Sequence, residues 1–168
     1  MKLTIVIFVL IELIMVSYLD FRDKKISNYW IILNLAITVL FYLFLSEIYI
    51  FDWNIFLYPV SFLILGFILF AINLMGAGDA KFLFSIYLML PLEIHDEYFT
   101  SLLVTTIFVS IFNLLFRAYN RRVMIYHEYL MRNYKNIMRA ILGKKMPFAP
   151  VMMIAWVLFI LDYIYDVY

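Results

Sequence analysis

The sequence predicts an all-α polytopic membrane protein with about six transmembrane helices and one cytoplasmic amphipathic helix, an expectation that rests on three observations. Of the 168 residues, 67% are apolar and 20% aromatic, against roughly 45–50% apolar in a soluble domain. Charged residues are only 15% of the chain and cluster between long uncharged runs instead of interleaving with apolar positions. The charge of those clusters also alternates along the chain. A run of about 20 apolar residues crosses a hydrocarbon core of about 30 Å as a helix, so the bilayer is the expected solvent. Residues 1–168 are expected to form one membrane-embedded unit, with no room for a separate soluble domain.

The first span reads Leu3–Leu19. Lys2 ahead of it is reminiscent of a signal peptide, but the run ends in Ser17-Tyr18-Leu19-Asp20-Phe21, without a small-residue cleavage site, and further spans follow. Tyr29–Leu45 is the second span, with Asn28 placed to cap it and Ser27 beside it. Ile55–Leu74 is the third and Phe82–Leu92 a short fourth. From Asp79 to Leu92 a helix rises about 20 Å, less than the membrane core. With Leu92 at the outer interface, Asp79 falls below the inner one, where irregular backbone has to line protein or a hydrated pocket. The fifth span is Phe99–Phe116 and the sixth Phe148–Tyr165, opened by Pro147 and Pro150, which suit a helix's first turn.

The first, third and fifth connections hold twelve of the thirteen basic residues: Arg22, Lys24 and Lys25, then Lys81, then Arg117, Arg121, Arg122, Arg132, Lys135, Arg139, Lys144 and Lys145. The other side carries Glu47, Asp52, Glu93, Asp96, Glu97, Asp162 and Asp166, with Lys2 as its only base. By the positive-inside rule both termini face outward and the odd connections face the cytoplasm. The long fifth connection, from Arg117 to Met146, repeats Val123, Tyr126, Leu130, Tyr134, Ile137 and Ile141 at spacings of three and four. It reads as a basic amphipathic helix on the inner leaflet, ended by Gly143; the other reading is a docking surface for a substrate's cytoplasmic part.

Acidic groups at or inside spans are costly, by about 2.5–3.5 kcal/mol on insertion scales. Three demand a reason: Glu12, Asp20 and Asp79. Asp79 follows Met75-Gly76-Ala77-Gly78, and two of the chain's four glycines are there. Gly76 and Gly78 permit a sharp turn, by positive φ or close backbone approach, that starts a helix with Asp79 near its N-terminus. Asp20 lies on the same side at similar depth, so the two carboxylates can meet. Brought within about 4–6 Å, one stays protonated near neutrality while the other acts as a base, which is the chemistry of an aspartyl protease.

Asp20 followed by Lys25-Ile26-Ser27-Asn28, then Gly76-Ala77-Gly78-Asp79-Ala80-Lys81 opening a short helix, then Lys145-Met146-Pro147-Phe148-Ala149-Pro150 opening the last span, resembles the type IV prepilin peptidase family of GxGD membrane aspartyl proteases. The resemblance covers nearly the whole chain. It implies an aspartic endopeptidase that removes the short basic leader of prepilin or archaellin-like precursors at the cytoplasmic face of the cell membrane, with Asp20 and Asp79 catalytic. The chain lacks the cysteine-bearing cytoplasmic region of larger bacterial members and is closer to the small peptidase-only forms of Tad-type and archaeal systems.

Lys81 either favours the ionised Asp79 or anchors the helix at the interface. Pro147 and Pro150 either initiate the last helix or shape the substrate cavity. Glu12 is expected to face the bundle, bonded to a polar partner such as Asn73 or Asn113. With no cysteine, and with His95 and His127 on opposite faces, no metal site and no cofactor are expected. Trp30, Trp53 and Trp156 read as interfacial anchors. The lipid bilayer and a prepilin-like substrate are the expected partners, nucleic acid is not, and the oligomeric state is left open. Two other functions fit less well: a GxGD protease for other membrane peptides, whose lead aspartate sits mid-helix, and a cation channel or transporter, which would show broken helices in both halves.

Overall fold

An apolar run in lipid has no water for its N–H and C=O groups, so each pairs them internally as a helix. The computed structural model describes residues 3–23, 25–45, 48–49, 51–71, 75–134, 136–137 and 147–167. Their helices are α1 (Leu3–Asp23), α2 (Asn28–Phe44), α3 (Leu57–Ala71), α4 (Ala77–Met89), α5 (His95–Asn120), α6 (Arg122–Leu130) and α7 (Ala149–Val167), with 3₁₀ turns over Trp53–Phe56 and Leu92–Ile94. No strand occurs among the described residues. A helix therefore stands at each of the six expected spans. By length and composition, Thr4–Asp23, Trp53–Ala71 and Leu92–Asn120 suffice to cross a membrane, while Asn28–Phe44 and Ala149–Tyr165 are shorter apolar helices.

The shortest of these six, α4, has 13 residues, about 20 Å. It is the inner helix. Asp79, Ala80, Phe82, Leu83 and every residue from Ser85 to Met89 are buried, as expected of a helix that is apolar on nearly all sides. The closest helix pairs form two groups of three: α4 between α2 and α3, and α7 between α1 and α5. The groups join at the end distant from Asp79, where Tyr87 packs on Tyr98 with ring centroids 5.3 Å apart and Phe62 on Phe99 at 5.8 Å. Tyr58 adds a hydrogen bond from its hydroxyl to Asp96.

Several expectations need correcting. Ser27, not Asn28, caps α2, accepting from the Tyr29 N–H at 3.3 Å. Trp156 is no interfacial anchor: it is fully buried, donates from Nε1 to the Val6 carbonyl at 3.3 Å, and packs edge-on against Tyr98. Trp53, 79% exposed, does fit the anchor role. α4 stops at Met89 rather than Leu92, and the turn after it is tucked inward, with Leu90, Pro91, Ile94 and His95 buried and Glu93 exposed. The expected single amphipathic helix is broken. α6 ends at Leu130, and Arg132 adopts φ 54° in the turn that follows. Its Val123, Tyr126 and Leu130 are exposed, making no core of their own. Gly143, Ile141, Leu74, Asn73, Lys145, Met146, Lys2, Lys24, Glu47, Lys135, Arg139 and Lys144 lie outside the described residues.

Candidate active site

Asp20 occupies the last turn of α1 and is 3% exposed. Its Oδ2 accepts the Ala149 N–H at 3.2 Å. That donor is one of the four at the start of α7 with no partner inside the helix, and the positive end of the helix dipole favours an anion there. Pro147 and Pro150 explain the approach. Pro150 falls in the first turn of α7, where its missing N–H costs nothing, and half-buried Pro147 stands just before the helix.

Asp79 is 7% exposed, in the first turn of α4. Its Oδ2 accepts the Gly76 N–H at 3.0 Å, so the carboxylate turns back over the helix start. The glycines act here by size rather than by unusual backbone. Gly76 has φ −79°, and no described glycine has positive φ. A Cβ on Gly76 would stand 2.9 Å from Asp79 Oδ2. A Cβ on Gly78 would stand 3.0 Å from the Ile26 carbonyl oxygen, on the segment that follows Asp20. On α3, a Cβ on Gly66 would meet the Ala80 Cβ at 2.3 Å. Small residues thus let α3 and the 25–27 segment close onto α4 beside Asp79, as small residues do wherever helices approach closely in lipid.

Both carboxylates lie at the same end of the bundle, on different helix groups. Asp20 is held by α7, through the Ala149 N–H. Each is buried. A cavity of about 360 Å³ lies at the opposite end between α1 and α2, lined by apolar groups such as Ile5, Phe8 and Phe41. Lys81, two residues after Asp79 and therefore about 200° around the helix, is exposed beside Ala77, Ala80 and Gly66. His95 is buried with Nε2 3.1 Å from the Leu90 carbonyl oxygen, His127 is exposed on α6, and no group of three metal-binding side chains occurs among the described residues.

Three contributors escaped the sequence reading. Ala149 acts through its backbone, which side-chain chemistry does not reveal. Ile26 and the Gly66–Ala80 contact are defined only by packing. Glu12 is buried in the bundle as expected, with Asn34 of α2 as its polar neighbour; Asn113 bonds its own helix at the Val109 carbonyl, 2.8 Å away, and Asn73 lies outside the described residues.

A family model described as the type IV leader peptidase family matches residues 7–118, a stretch that holds Asp20, Gly76, Gly78 and Asp79. No curated protein and no solved structure was found to match the chain.

Proposed function

The chain belongs to the type IV leader peptidase family, and from that premise we propose that it is an aspartic endopeptidase that cuts the basic leader from prepilin-type or archaellin-like precursors at the cytoplasmic face of the membrane. The observation that carries the reading is the burial of Asp20 and Asp79 at one end of the bundle, each aimed by a helix N-terminus, α7 for the first and α4 for the second. Carboxylates this costly in an apolar bundle call for a use.

In the proposed reaction the ionised carboxylate takes a proton from water as the water attacks the scissile carbonyl. The protonated carboxyl donates to that carbonyl's oxygen, and proton return to the leaving nitrogen completes hydrolysis. Asp20 and Asp79 are the pair. Gly76 and Gly78 aim Asp79 by letting backbone approach, and Pro147 and Pro150 set the α7 N-terminus that holds Asp20. Lys81 anchors α4 at the interface from its exposed face. Helix ends near the pair carry Arg22, Lys25, Lys81 and Arg117, so they face the cytoplasm by the positive-inside rule.

A site at this boundary fits a substrate whose leader is polar and whose apolar helix stays in the bilayer. The leader is expected to be basic, since anionic lipid draws Lys and Arg at about 1 kcal/mol each. The residue before the cut is expected to be small, since the peptide must pass between the pair and the Gly76-Ala77-Gly78 turn. The test is mass spectrometry of a prepilin incubated with the purified protein in detergent. One cut at the leader–helix boundary is expected, blocked by Gly→Val before the cut and barely slowed by loss of one leader charge. Cleavage several residues inside the apolar segment, or equal tolerance of both changes, would contradict the placement. Cation flux through vesicles without any peptide product would favour a transporter.

A further inference from the structure

The charges on α5 set the height at which it leaves the bilayer. Asp96 and Glu97 stand exposed at its start, and no charged residue follows until Arg117. The stretch from Glu97 to Arg117 rises about 30 Å, the thickness of a hydrocarbon core, so Arg117 marks the interface at the other end of the helix. The helix breaks at Arg121, which joins α5 to α6 with φ −107° and ψ 16°. Arg122, the first residue of α6, therefore stands within about 8 Å of that interface. Its guanidinium lies over the Tyr119 ring, 5.0 Å from the centroid.

The two sides of α6 differ. At about 100° per residue, Val123, Tyr126 and Leu130 fall within about 60° of one another, and they are 78%, 65% and 62% exposed. Ile125 and Glu128, the two half-buried residues of α6, fall on the opposite side. There Glu128 accepts a hydrogen bond from Asn136 Nδ2 at 3.2 Å. The apolar stripe is thus turned away from the protein.

Height and charge decide what covers it. The nearest apolar phase at that height is the boundary between headgroups and acyl chains, into which interfacial helices sink an apolar face by about 5–10 Å. Arg121, Arg122 and Arg132 accompany the stripe, against a single acidic residue, Glu128, on the far side. A basic leader peptide would be repelled by those cations, and a second α6 laid on the first would set arginine against arginine. An anionic leaflet satisfies both stripe and cations, drawing each Arg at about 1 kcal/mol, or about fivefold. We propose that α6 is a docking surface for anionic phospholipid, with Val123, Tyr126 and Leu130 in the acyl boundary of the inner leaflet and Arg122 and Arg132 on headgroup phosphates. This lipid-binding function is separate from the peptidase chemistry, and a catalytically inactive protein tests it equally well.

The experiment uses the full chain in vesicles of phosphatidylcholine, with or without one third phosphatidylglycerol. Because the chain has no cysteine, a spin label can be placed at one position at a time through Val123→Cys, Tyr126→Cys, Leu130→Cys or, on the opposite side, Glu128→Cys. In anionic vesicles the three stripe labels should collide with lipid-dissolved oxygen and be shielded from an aqueous nickel chelate, and the Glu128 label should not. Hydrogen exchange on the unaltered chain is the second measurement, and it needs no labelled variant to fold. Amides from 123 to 131 should exchange at least about fivefold more slowly in anionic vesicles than in phosphatidylcholine alone, and Arg122→Gln with Arg132→Gln should return most of that protection. Stripe labels as open to nickel as the Glu128 label, or exchange independent of phosphatidylglycerol, would overturn the proposal. So would shielding that appears only when a prepilin leader peptide is added, which would make α6 a substrate dock, or shielding that grows with the protein-to-lipid ratio, which would make it a contact between copies.

Discussion

Gly66 shows how much a single hydrogen atom in place of a methyl can decide. A methyl there would stand 2.3 Å from the Ala80 Cβ, far inside contact distance, and both carbons would sit on rigid helix backbones. Gly66→Ala should therefore push α3 off α4 and lower stability by about 1–3 kcal/mol, the usual cost of overpacking. Ala80→Gly in the same chain should restore most of the loss, because it removes the clashing methyl. Thermal unfolding in detergent of the single and double variants measures this; a double variant no more stable than Gly66→Ala would mean the two residues do not set the α3–α4 contact. Gly78→Ala should cost activity beyond stability, since its methyl would meet the Ile26 carbonyl at 3.0 Å and displace the segment joining Asp20 to α2. Full prepilin cleavage by a folded Gly78→Ala protein would contradict that.

At the scale of elements, the start of α7 is where sequence and structure inform each other most. Pro147 and Pro150 announce a helix beginning, yet nothing in them says that the helix presents its Ala149 N–H to a carboxylate 129 positions earlier. Asn in place of Asp20 still offers an acceptor, whereas Ala leaves the N–H buried without one. Asp20→Ala should therefore be less stable than Asp20→Asn by about 1 kcal/mol, read as the difference in unfolding midpoint. Equal midpoints would show that the bond adds nothing to the packing of α1 on α7. The helices themselves were legible because apolar runs bounded by charge have few alternatives in lipid. Their faces were not. Phe82 is fully buried and Phe108 is 70% exposed, but lipid tails are as apolar as a protein core, so hydropathy does not separate them. For the same reason the sequence makes Trp156 look like an interfacial anchor. The amphipathic period through Val123, Tyr126 and Leu130 likewise describes a pattern that the turn at Arg132 interrupts.

For the whole molecule, two groups of three helices carry one candidate carboxylate each, and the short, buried α4 brings the Gly76–Asp79 turn to the end where α1 finishes and α7 begins. The ordered motifs made that gathering legible, since each lies at a helix end facing the same side. The contacts that hold it, Ile26 on Gly78 and Asn34 on Ser85, arise from tertiary packing and leave no spacing to read. The donor set contains no cysteine, and its two histidines fall at opposite ends, so chelators should leave peptidase activity unchanged. Loss in chelator reversed by one divalent ion would contradict the two-carboxylate chemistry.

The central claim, that Asp20 and Asp79 together perform the hydrolysis, is tested most directly by prepilin cleavage with purified Asp20→Asn, Asp79→Asn and the double variant, each first shown to insert and unfold like wild type. Groups that serve one step lose activity non-additively. Each single variant should therefore abolish processing, and the double should be no worse than either single. Substantial processing by either folded single variant would contradict the account.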